Sequence, residues 1–203
     1  LALYGDSSIS FDMIELITRK SSRKLSIFEI KKIKGKIKNK IFSDLKKISK
    51  KKKIKNLNLK KWPILMGVLN FTPDSFSDGG KFNKFNKSIG QISQMIESGA
   101  NIIDLGGEST RPGSKTIDPK IEWRRLEKVL KIFKKKYKQT CLSIDTRKSI
   151  IMNKSIKFGA DLINDVSGFN YDSDSLLKIK DKNISKVLHH MQGTPNTMQN
   201  NPK

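Results

Sequence analysis

Short apolar runs without a polar face recur along this sequence, and an amphipathic stretch separates each from the next. The runs occupy residues 64–69, 102–105, 141–144, 162–163 and 185–189. Runs of this kind predict strands that are buried on both faces, as in a parallel sheet. A strand and a helix in each unit of about thirty residues indicate right-handed βαβ crossovers. The pattern predicts an α/β fold, and by itself it leaves open an open doubly wound sheet or a closed TIM barrel.

The helices between these strands are predicted from apolar spacing. The clearest one follows Asp118-Pro119, which pairs an N-cap residue with proline at the first helical position. Apolar side chains then recur every three to four positions along one face, at Trp123, Leu126, Leu130, Phe133 and Tyr137. Shorter helices are predicted within residues 89–99, 151–158 and 174–180.

The composition changes near residue 60, so residues 1–60 are interpreted as a lysine-rich N-terminal extension and linker, and residues 61–203 as the α/β domain. Only a small core is available to the extension. Two short helices are predicted there from apolar spacing, one lined by Phe11, Ile14, Leu16 and Ile17, the other by Ile27, Ile30, Ile33 and Ile37. The dense basic run at residues 46–55 is predicted to be a solvated linker.

The net charge of +23 raises the question of nucleic-acid binding. Only six of the 42 basic residues are arginine, whereas base recognition favours the planar arginine fork. We therefore predict no specific nucleic-acid partner. A single cysteine excludes a disulfide framework and fits a reducing compartment. No apolar run approaches the roughly 20 residues of a membrane span, so no membrane partner is predicted.

Polar residues stand at the carboxyl ends of four predicted strands, namely Asn70, Asp145, Asn164 with Asp165, and His190. Ligands bind at this end of the strands in parallel α/β folds. A carboxylate such as Asp145 accepts two N–H groups in a fork, and Asn164 offers a donor and an acceptor on one planar group. The residues predict a site for a flat, polar heterocycle.

Two glycine-bearing loops, residues 70–80 and 106–113, follow the first two strands and predict an anion site. The second loop contains Thr110 and Arg111, a hydroxyl and a guanidinium beside backbone N–H groups. The adjacent histidines disfavour a zinc cage. Mg²⁺ needs few protein oxygens when phosphates supply the others, so Asn70 alone would suffice.

Five segments of the chain resemble the dihydropteroate synthase family, in the same order as in that family. They read MGVLNFTPDSFSDGG (66–80), IDLGGESTRPG (103–113), SIDT (143–146), IND (163–165) and HMQGTP (190–195). The likeness covers residues 62–203. It implies a TIM barrel, a transferase of folate synthesis that is cytoplasmic, homodimeric and a sulfonamide target. The implied reaction joins p-aminobenzoate to hydroxymethyl-dihydropterin pyrophosphate and releases pyrophosphate.

The resemblance also implies a role for each matching residue. Four residues would bind the pterin: Asp145, Asn164, Asp165 and Met191. Three would act in catalysis: Asn70, Asp78 and Arg111. Phosphate binding would fall to Thr110 and Arg111, the walls of the p-aminobenzoate pocket to Phe76 and Pro112, and the contact with Mg²⁺ to Asn70.

The match extends over only five strands, whereas a TIM barrel has eight strands and about 250 residues. We therefore expect a sequence truncated at both ends, and a 203-residue chain that is inactive and poorly soluble. Two other functions stay open at this point. One is a methyl-tetrahydrofolate-dependent methyltransferase on the same pterin-binding barrel. The other is a non-catalytic, basic, nucleic-acid-binding derivative of the fold.

Overall fold

The structure is a computed structural model that describes residues 1–51, 53–59, 63–71, 81–111, 113–190, 193 and 197, with only the backbone described at 81–84. The chain divides into two compact units, Leu1–Lys53 and Ile54–Lys203. None of the helices in the described parts is both long enough and apolar enough to cross a membrane.

The first unit combines two antiparallel strand pairs with two helices. Its elements are β1 (Ala2–Leu3), β2 (Asp6–Ser10), β3 (Met13–Ile17), β4 (Ser22–Ser26), α1 (Ile27–Lys32) and α2 (Lys36–Ser49). Strand β1 pairs with β2, and β3 pairs with β4. A small core of buried apolar side chains holds the unit together, formed by Leu25, Ile30, Ile41 and Leu45.

The helix predicted from Phe11, Ile14, Leu16 and Ile17 is wrong, because Met13–Ile17 is a strand. Burial alternates along β3, with Ile14 and Leu16 half-buried between exposed neighbours. This period of two is typical of a sheet with one covered face. The spacing of three from Phe11 to Ile14 suits a helix, whereas the spacing of two from Ile14 to Leu16 suits a strand. The short apolar pattern is therefore ambiguous.

The second predicted helix of this unit is in fact two helices. Helix α1 begins at a capping box, in which Ser26 and Glu29 each bond the backbone N–H of the other. Gly35 then adopts a φ of 83°, a left-handed conformation that suits glycine and separates α1 from α2. Ile37 consequently lies exposed on α2 rather than in line with Ile30. Residues 46–49 of the predicted linker belong to α2.

The second unit contains one parallel sheet of five strands. They are β5 (Met66–Asn70), β6 (Ile102–Gly106), β7 (Cys141–Asp145), β8 (Leu162–Asp165) and β9 (Ser185–Leu188). The five predicted strands are thus confirmed to within a few residues. The order of the strands in the sheet is their order in the chain. A doubly wound sheet reverses direction at a switch point, so this unbroken order favours the barrel.

Helices follow each of the first four strands: α3 (Lys81–Glu97), α4 (Pro119–Lys136), α5 (Ser149–Lys157) and α6 (Ser175–Ile179). Asp118 caps α4 by accepting a hydrogen bond from the Lys120 N–H, as the sequence predicts. Strands β6 and β7 are buried along their whole length. Their apolar side chains form one core with the helices, which includes Ile103, Leu105, Leu126, Leu130, Phe133, Ile144 and Ile151. This packing holds the carboxyl ends of the strands in fixed register.

Candidate functional site

The parallel register aligns four residues in one row across the sheet. Asn70 pairs with Gly106, Gly106 with Asp145, and Asp145 with Asn164. Residues in register on neighbouring strands face the same side of a sheet. The row lies at the carboxyl ends of β5 to β8, and so three of the polar residues predicted for the site come together.

Gly106 makes room for the side chains on either side of it. A Cβ atom at this position would lie 2.2 Å from Asn70 Oδ1 and 3.5 Å from Asp145 Oδ2. The Asn70 carboxamide therefore occupies the space above the glycine, beside the Asp145 carboxylate. An oxygen of an amide and an oxygen of an acid thus share one small area of the sheet edge.

Asp104 lies one step below this row, two residues before Gly106 on β6 and on the same side of the strand. It is buried, and its Oδ2 accepts a hydrogen bond of 2.9 Å from Asn164 Nδ2. Burial raises the pKa of Asp104, and the neighbouring Ser143 hydroxyl together with the hydrogen bond from Asn164 offsets only part of that effect. Asp104 thus supports Asn164 from beneath.

Asp145 is the residue of the row that most needs a ligand. It is 6% exposed, and its Oδ1 has no hydrogen-bond partner among the described residues. Burial, followed by the charges of Asp104, Glu122 and Asp165, raises the pKa of Asp145 to about 7, against a smaller opposing effect of Arg147. A buried carboxylate without a partner is costly. A ligand that presents N–H groups to it would remove that cost.

The raised pKa of Asp145 predicts a distinct pH dependence of stability. In the unfolded chain this carboxyl group loses its proton near the ordinary aspartate pKa of 3.8, whereas the folded chain holds the proton until about pH 7. The folded state therefore binds more protons across this window, and its stability falls as the pH rises through it. The loss is on the order of 4 kcal/mol, and it is complete above pH 7.

The measurement is urea unfolding between pH 4 and 8, followed by tryptophan fluorescence, since both tryptophans lie in the second unit. The Asp145→Asn variant lacks the titrating group. Wild-type stability minus variant stability should fall with rising pH and then level off near pH 7. A difference that stays constant over the whole range would contradict the assignment.

Next to the row, two acids and two bases form a buried, charge-balanced cluster. Each of its members, Glu108, Glu122, Arg147 and Lys148, is at most 5% exposed. Lys148 Nζ contacts Glu108 at 2.9 Å and Glu122 at 2.6 Å, and Arg147 contacts Glu108 at 2.9 Å. Each buried charge thus has a partner of opposite sign, which is what makes burial of the four groups tolerable.

This cluster anchors the second glycine-bearing loop. Glu108 Oε1 accepts a hydrogen bond of 2.9 Å from the Ile117 N–H, and so a carboxylate within the loop is joined to the segment that follows it. Burial by itself would raise the pKa of Glu108, but hydrogen bonds from Lys148, Ile117 and Arg147 outweigh burial and lower the pKa. The carboxylate is therefore held in its charged form, in which it bonds all three groups.

Replacing Thr146 with valine should destabilise this cluster. The Thr146 hydroxyl donates to Glu122 Oε1 at 2.5 Å and accepts from the Lys148 N–H at 3.3 Å, and valine has nearly the same shape without the hydroxyl. A hydrogen bond to a charged group contributes more than a neutral one, so we expect a loss of about 2 kcal/mol in unfolding free energy. Urea unfolding measures it, and Thr116→Val, at an exposed threonine, is the control. Equal stabilities of the two variants would contradict the prediction.

The other predicted site residues have different settings. Thr110 is half-buried and Arg111 is exposed on the second loop. Asp165 is fully buried and accepts hydrogen bonds from the N–H and hydroxyl of Ser167 and the N–H of Phe169, so its oxygens already hold the turn after β8. Four predicted residues lie outside the described residues, namely Phe76, Asp78, Pro112 and Met191.

Sequence reasoning missed several polar residues around the row. The sequence pattern predicts Asp104 only as part of a strand, although an acid inside an apolar run, two positions before a glycine at the strand end, is a usable signal. His189 was also missed: its Nε2 lies 2.7 Å from Asn164 Oδ1, although it is exposed, as is the predicted His190. No local pattern points to the Glu108–Lys148 contact, since these residues meet only in the folded chain.

Oxygen ligands for Mg²⁺ are available at the row. The Asn70 carboxamide oxygen stands beside Asp145, and amide oxygens are ligands that Mg²⁺ accepts. No group of three or more histidine, cysteine or acidic residues among the described residues is arranged to hold a metal ion on its own. The residues fit a Mg²⁺ ion that takes most of its ligands from a bound group, for example from a pyrophosphate.

Comparison with known proteins agrees with this geometry. The model of the pterin-binding enzyme family matches residues 66–203. The chain belongs to this family. The matched segment contains the whole row from Asn70 to Asn164, together with Asp104 and His189.

Its relatives include curated and solved dihydropteroate synthases. That of a Synechocystis species is 40% identical over 136 residues, which are 67% of this chain and 47% of the relative. The structure from Clostridium difficile, in the presence of pteroic acid, is 40% identical with a TM-score of 0.63 and covers 67% of this chain and 51% of that one. The structure from Anaplasma phagocytophilum, with bound 6-hydroxymethylpterin-monophosphate, is 37% identical with a TM-score of 0.60, at 68% and 52% coverage.

The chain spans about half the length of the curated relatives that it matches. The solved relatives are TIM barrels, and the likeness identifies the five parallel strands as part of such a barrel. The choice that the sequence pattern left open, between a doubly wound sheet and a barrel, is decided in favour of the barrel.

Proposed function

We propose that the protein to which this chain belongs is a dihydropteroate synthase, which condenses p-aminobenzoate with hydroxymethyl-dihydropterin pyrophosphate. The observation that carries the proposal is the row of Asn70, Asp145 and Asn164, in which Asp145 Oδ1 has no partner among the described residues. Several relatives are dihydropteroate synthases, of which one was solved in the presence of pteroic acid and another with bound 6-hydroxymethylpterin-monophosphate.

The row suits the polar edge of a pterin ring. That edge presents an amino group and a ring N–H side by side, with ring nitrogen and carbonyl acceptors next to them. The Asp145 carboxylate accepts the two N–H groups, which gives its buried Oδ1 the partner that it lacks among the described residues. The half-buried Asn164 carboxamide has a donor and an acceptor left for the adjacent ring atoms. We assign the pterin to these two residues.

The pyrophosphate lies, in this proposal, on the side of Asn70 and the second loop. Thr110 and Arg111 on that loop supply a hydroxyl and a guanidinium to the phosphate oxygens. Asn70 Oδ1 offers one ligand to a Mg²⁺ ion that the pyrophosphate brings with it. When bound, Mg²⁺ neutralises charge on the pyrophosphate and so makes it a better leaving group.

The reaction exchanges one bond for another at the pterin methylene carbon. The bond from this carbon to the pyrophosphate oxygen breaks, and its electron pair leaves with pyrophosphate. The amine nitrogen of p-aminobenzoate forms the new bond to the carbon and then loses a proton. Arg111 stabilises the negative charge that develops on the leaving group. Asp145 keeps the ring in place, which fixes the position of the methylene carbon.

The experiment uses the protein expressed from its complete gene. It is incubated with hydroxymethyl-dihydropterin pyrophosphate, p-aminobenzoate and Mg²⁺, and dihydropteroate is measured by liquid chromatography. We expect dihydropteroate and pyrophosphate in equal amounts, and no dihydropteroate without p-aminobenzoate. Methyl transfer from methyl-tetrahydrofolate instead would support the alternative methyltransferase. Absence of both reactions, with salt-dependent DNA binding, would support the non-catalytic alternative.

We extend the proposal to the setting of the complete protein. In keeping with the family resemblance, it would act as a homodimer in the cytoplasm, on small-molecule substrates, and sulfonamides would compete with p-aminobenzoate. Light scattering of the complete protein tests the dimer, since a monomeric mass would contradict it.

A further inference from the structure

We propose that His189 is a positioning residue of this site: its imidazole holds the Asn164 carboxamide in the one orientation that suits the pterin edge. The inference rests on the proposed function and adds to it a residue that the sequence motifs did not indicate. It starts from the contact between His189 Nε2 and Asn164 Oδ1, which are 2.7 Å apart.

The Asn164 carboxamide is held from two sides. Its Nδ2 donates to Asp104 Oδ2 at 2.9 Å, and its Oδ1 faces His189 Nε2. An amide oxygen only accepts, so the His189 ring nitrogen must carry a proton and donate. The chain of hydrogen bonds therefore runs from His189 through Asn164 to Asp104.

Asp104 by itself holds only one end of the carboxamide, namely Nδ2. A single hydrogen bond leaves the amide plane free to pivot about that contact. A donor on the opposite side removes this freedom, because only the amide oxygen can accept from it. His189 is that donor.

The orientation decides which hydrogen-bonding groups the ligand meets. The carboxamide of Asn164 has two N–H bonds and two oxygen lone pairs, of which Asp104 and His189 use one each. One N–H and one oxygen lone pair are left for the ligand, and the orientation of the amide decides which of the two each ring atom meets. Turning the amide over would exchange them. A donor would then face a donor of the ring, beside the neighbouring Asp145.

The test compares two replacements of His189 in the complete protein. Leucine removes the donor, while glutamine keeps an N–H at a similar distance from the backbone. The melting temperature of each variant is measured as well, and a variant that keeps the wild-type value reports on binding rather than on folding. Binding of 6-hydroxymethylpterin is measured by calorimetry. Loss of one hydrogen bond should weaken binding roughly five- to ten-fold in His189→Leu, whereas His189→Gln should stay within about two-fold of wild type.

A double-mutant cycle shows whether His189 acts through Asn164. In an Asn164→Ala background, His189→Leu should weaken pterin binding no further. In steady-state kinetics, His189→Leu should raise KM for the pterin substrate by the same factor and leave kcat and KM for p-aminobenzoate unchanged. A residue with a purely structural role would not change KM for the pterin substrate while leaving kcat and KM for p-aminobenzoate unchanged.

Three results would overturn the inference: wild-type affinity in His189→Leu, no rescue by glutamine, or a loss that persists without the Asn164 side chain. Each of these can occur in a protein that still makes dihydropteroate, and then the proposed function stands while the role of His189 falls. A wild-type protein that binds no pterin and makes no dihydropteroate would overturn both.

Discussion

Replacing Asp145 with alanine is expected to abolish pterin binding while leaving the fold intact. Two charge-assisted hydrogen bonds to a ring edge would disappear, and each contributes about 1.5–3 kcal/mol. Their sum corresponds to a loss of about 10²- to 10⁴-fold in affinity. The methylene carbon of the pterin would then no longer be held near the second substrate.

The folded state itself should tolerate this change. At pH 8 the wild-type carboxylate is buried and charged, with one oxygen that has no partner among the described residues. Removing a group of this kind relieves a cost rather than creating one. We therefore expect Asp145→Ala to unfold at no lower urea concentration than wild type at this pH.

Calorimetry with 6-hydroxymethylpterin on the complete protein is the measurement. Asp181→Ala, at an exposed aspartate before β9, is the matched control and should bind as wild type does. Unchanged affinity in Asp145→Ala would refute the pterin-binding role. Such a result would also remove the main support for the proposed function.

Adding a single methyl group at Gly106 should have a comparably large effect on catalysis. The new Cβ would lie 2.2 Å from Asn70 Oδ1, well inside contact distance, so the carboxamide must leave its place beside Asp145. The backbone of β6 is fixed by pairing on both sides, and therefore the side chain has to move. A displacement of about 1 Å in a site of this kind costs on the order of 10²-fold in rate.

The matched control for this variant is Gly90→Ala. Gly90 lies on α3, and a Cβ there would meet nothing within 4 Å. Alanine is the better helix former, so this variant should keep full activity and gain up to about 1 kcal/mol in stability. The rate of dihydropteroate formation, divided by KM for the pterin substrate, is compared in the two variants. Equal rates would show that Asn70 does not need the space above Gly106.

The strands and helices of the second unit were predictable because each has a strong local signal. Strands β6 and β7 are buried on both faces and therefore read as unbroken apolar runs. Helix α4 has both an N-cap and a long apolar face. In the first unit the signals are short, and β3 was mistaken for a helix. Five residues with two half-buried side chains do not distinguish a period of two from a period of 3.6.

Much of the site was predictable for a topological reason. Asn70, Asp145 and Asn164 each follow an apolar run, and in a parallel sheet the carboxyl ends of all strands meet at one edge. The order of the runs in the sequence is also their order in the sheet. The sequence by itself therefore determined which polar groups share the edge, and the family motifs indicate the chemistry that we propose for them.

Only the tertiary structure decided how these groups support one another. Asp104 meets Asn164 across 60 positions of sequence, and His189 meets it across 25. These contacts depend on strand register and on which side chains face the same side of the sheet. A shift of one residue in the register would turn the side chains to the opposite face and break both contacts. The space above Gly106 likewise exists only because two neighbouring strands bring Asn70 and Asp145 to it. Local sequence patterns carry no information about such distances, because the packing of the whole sheet sets them.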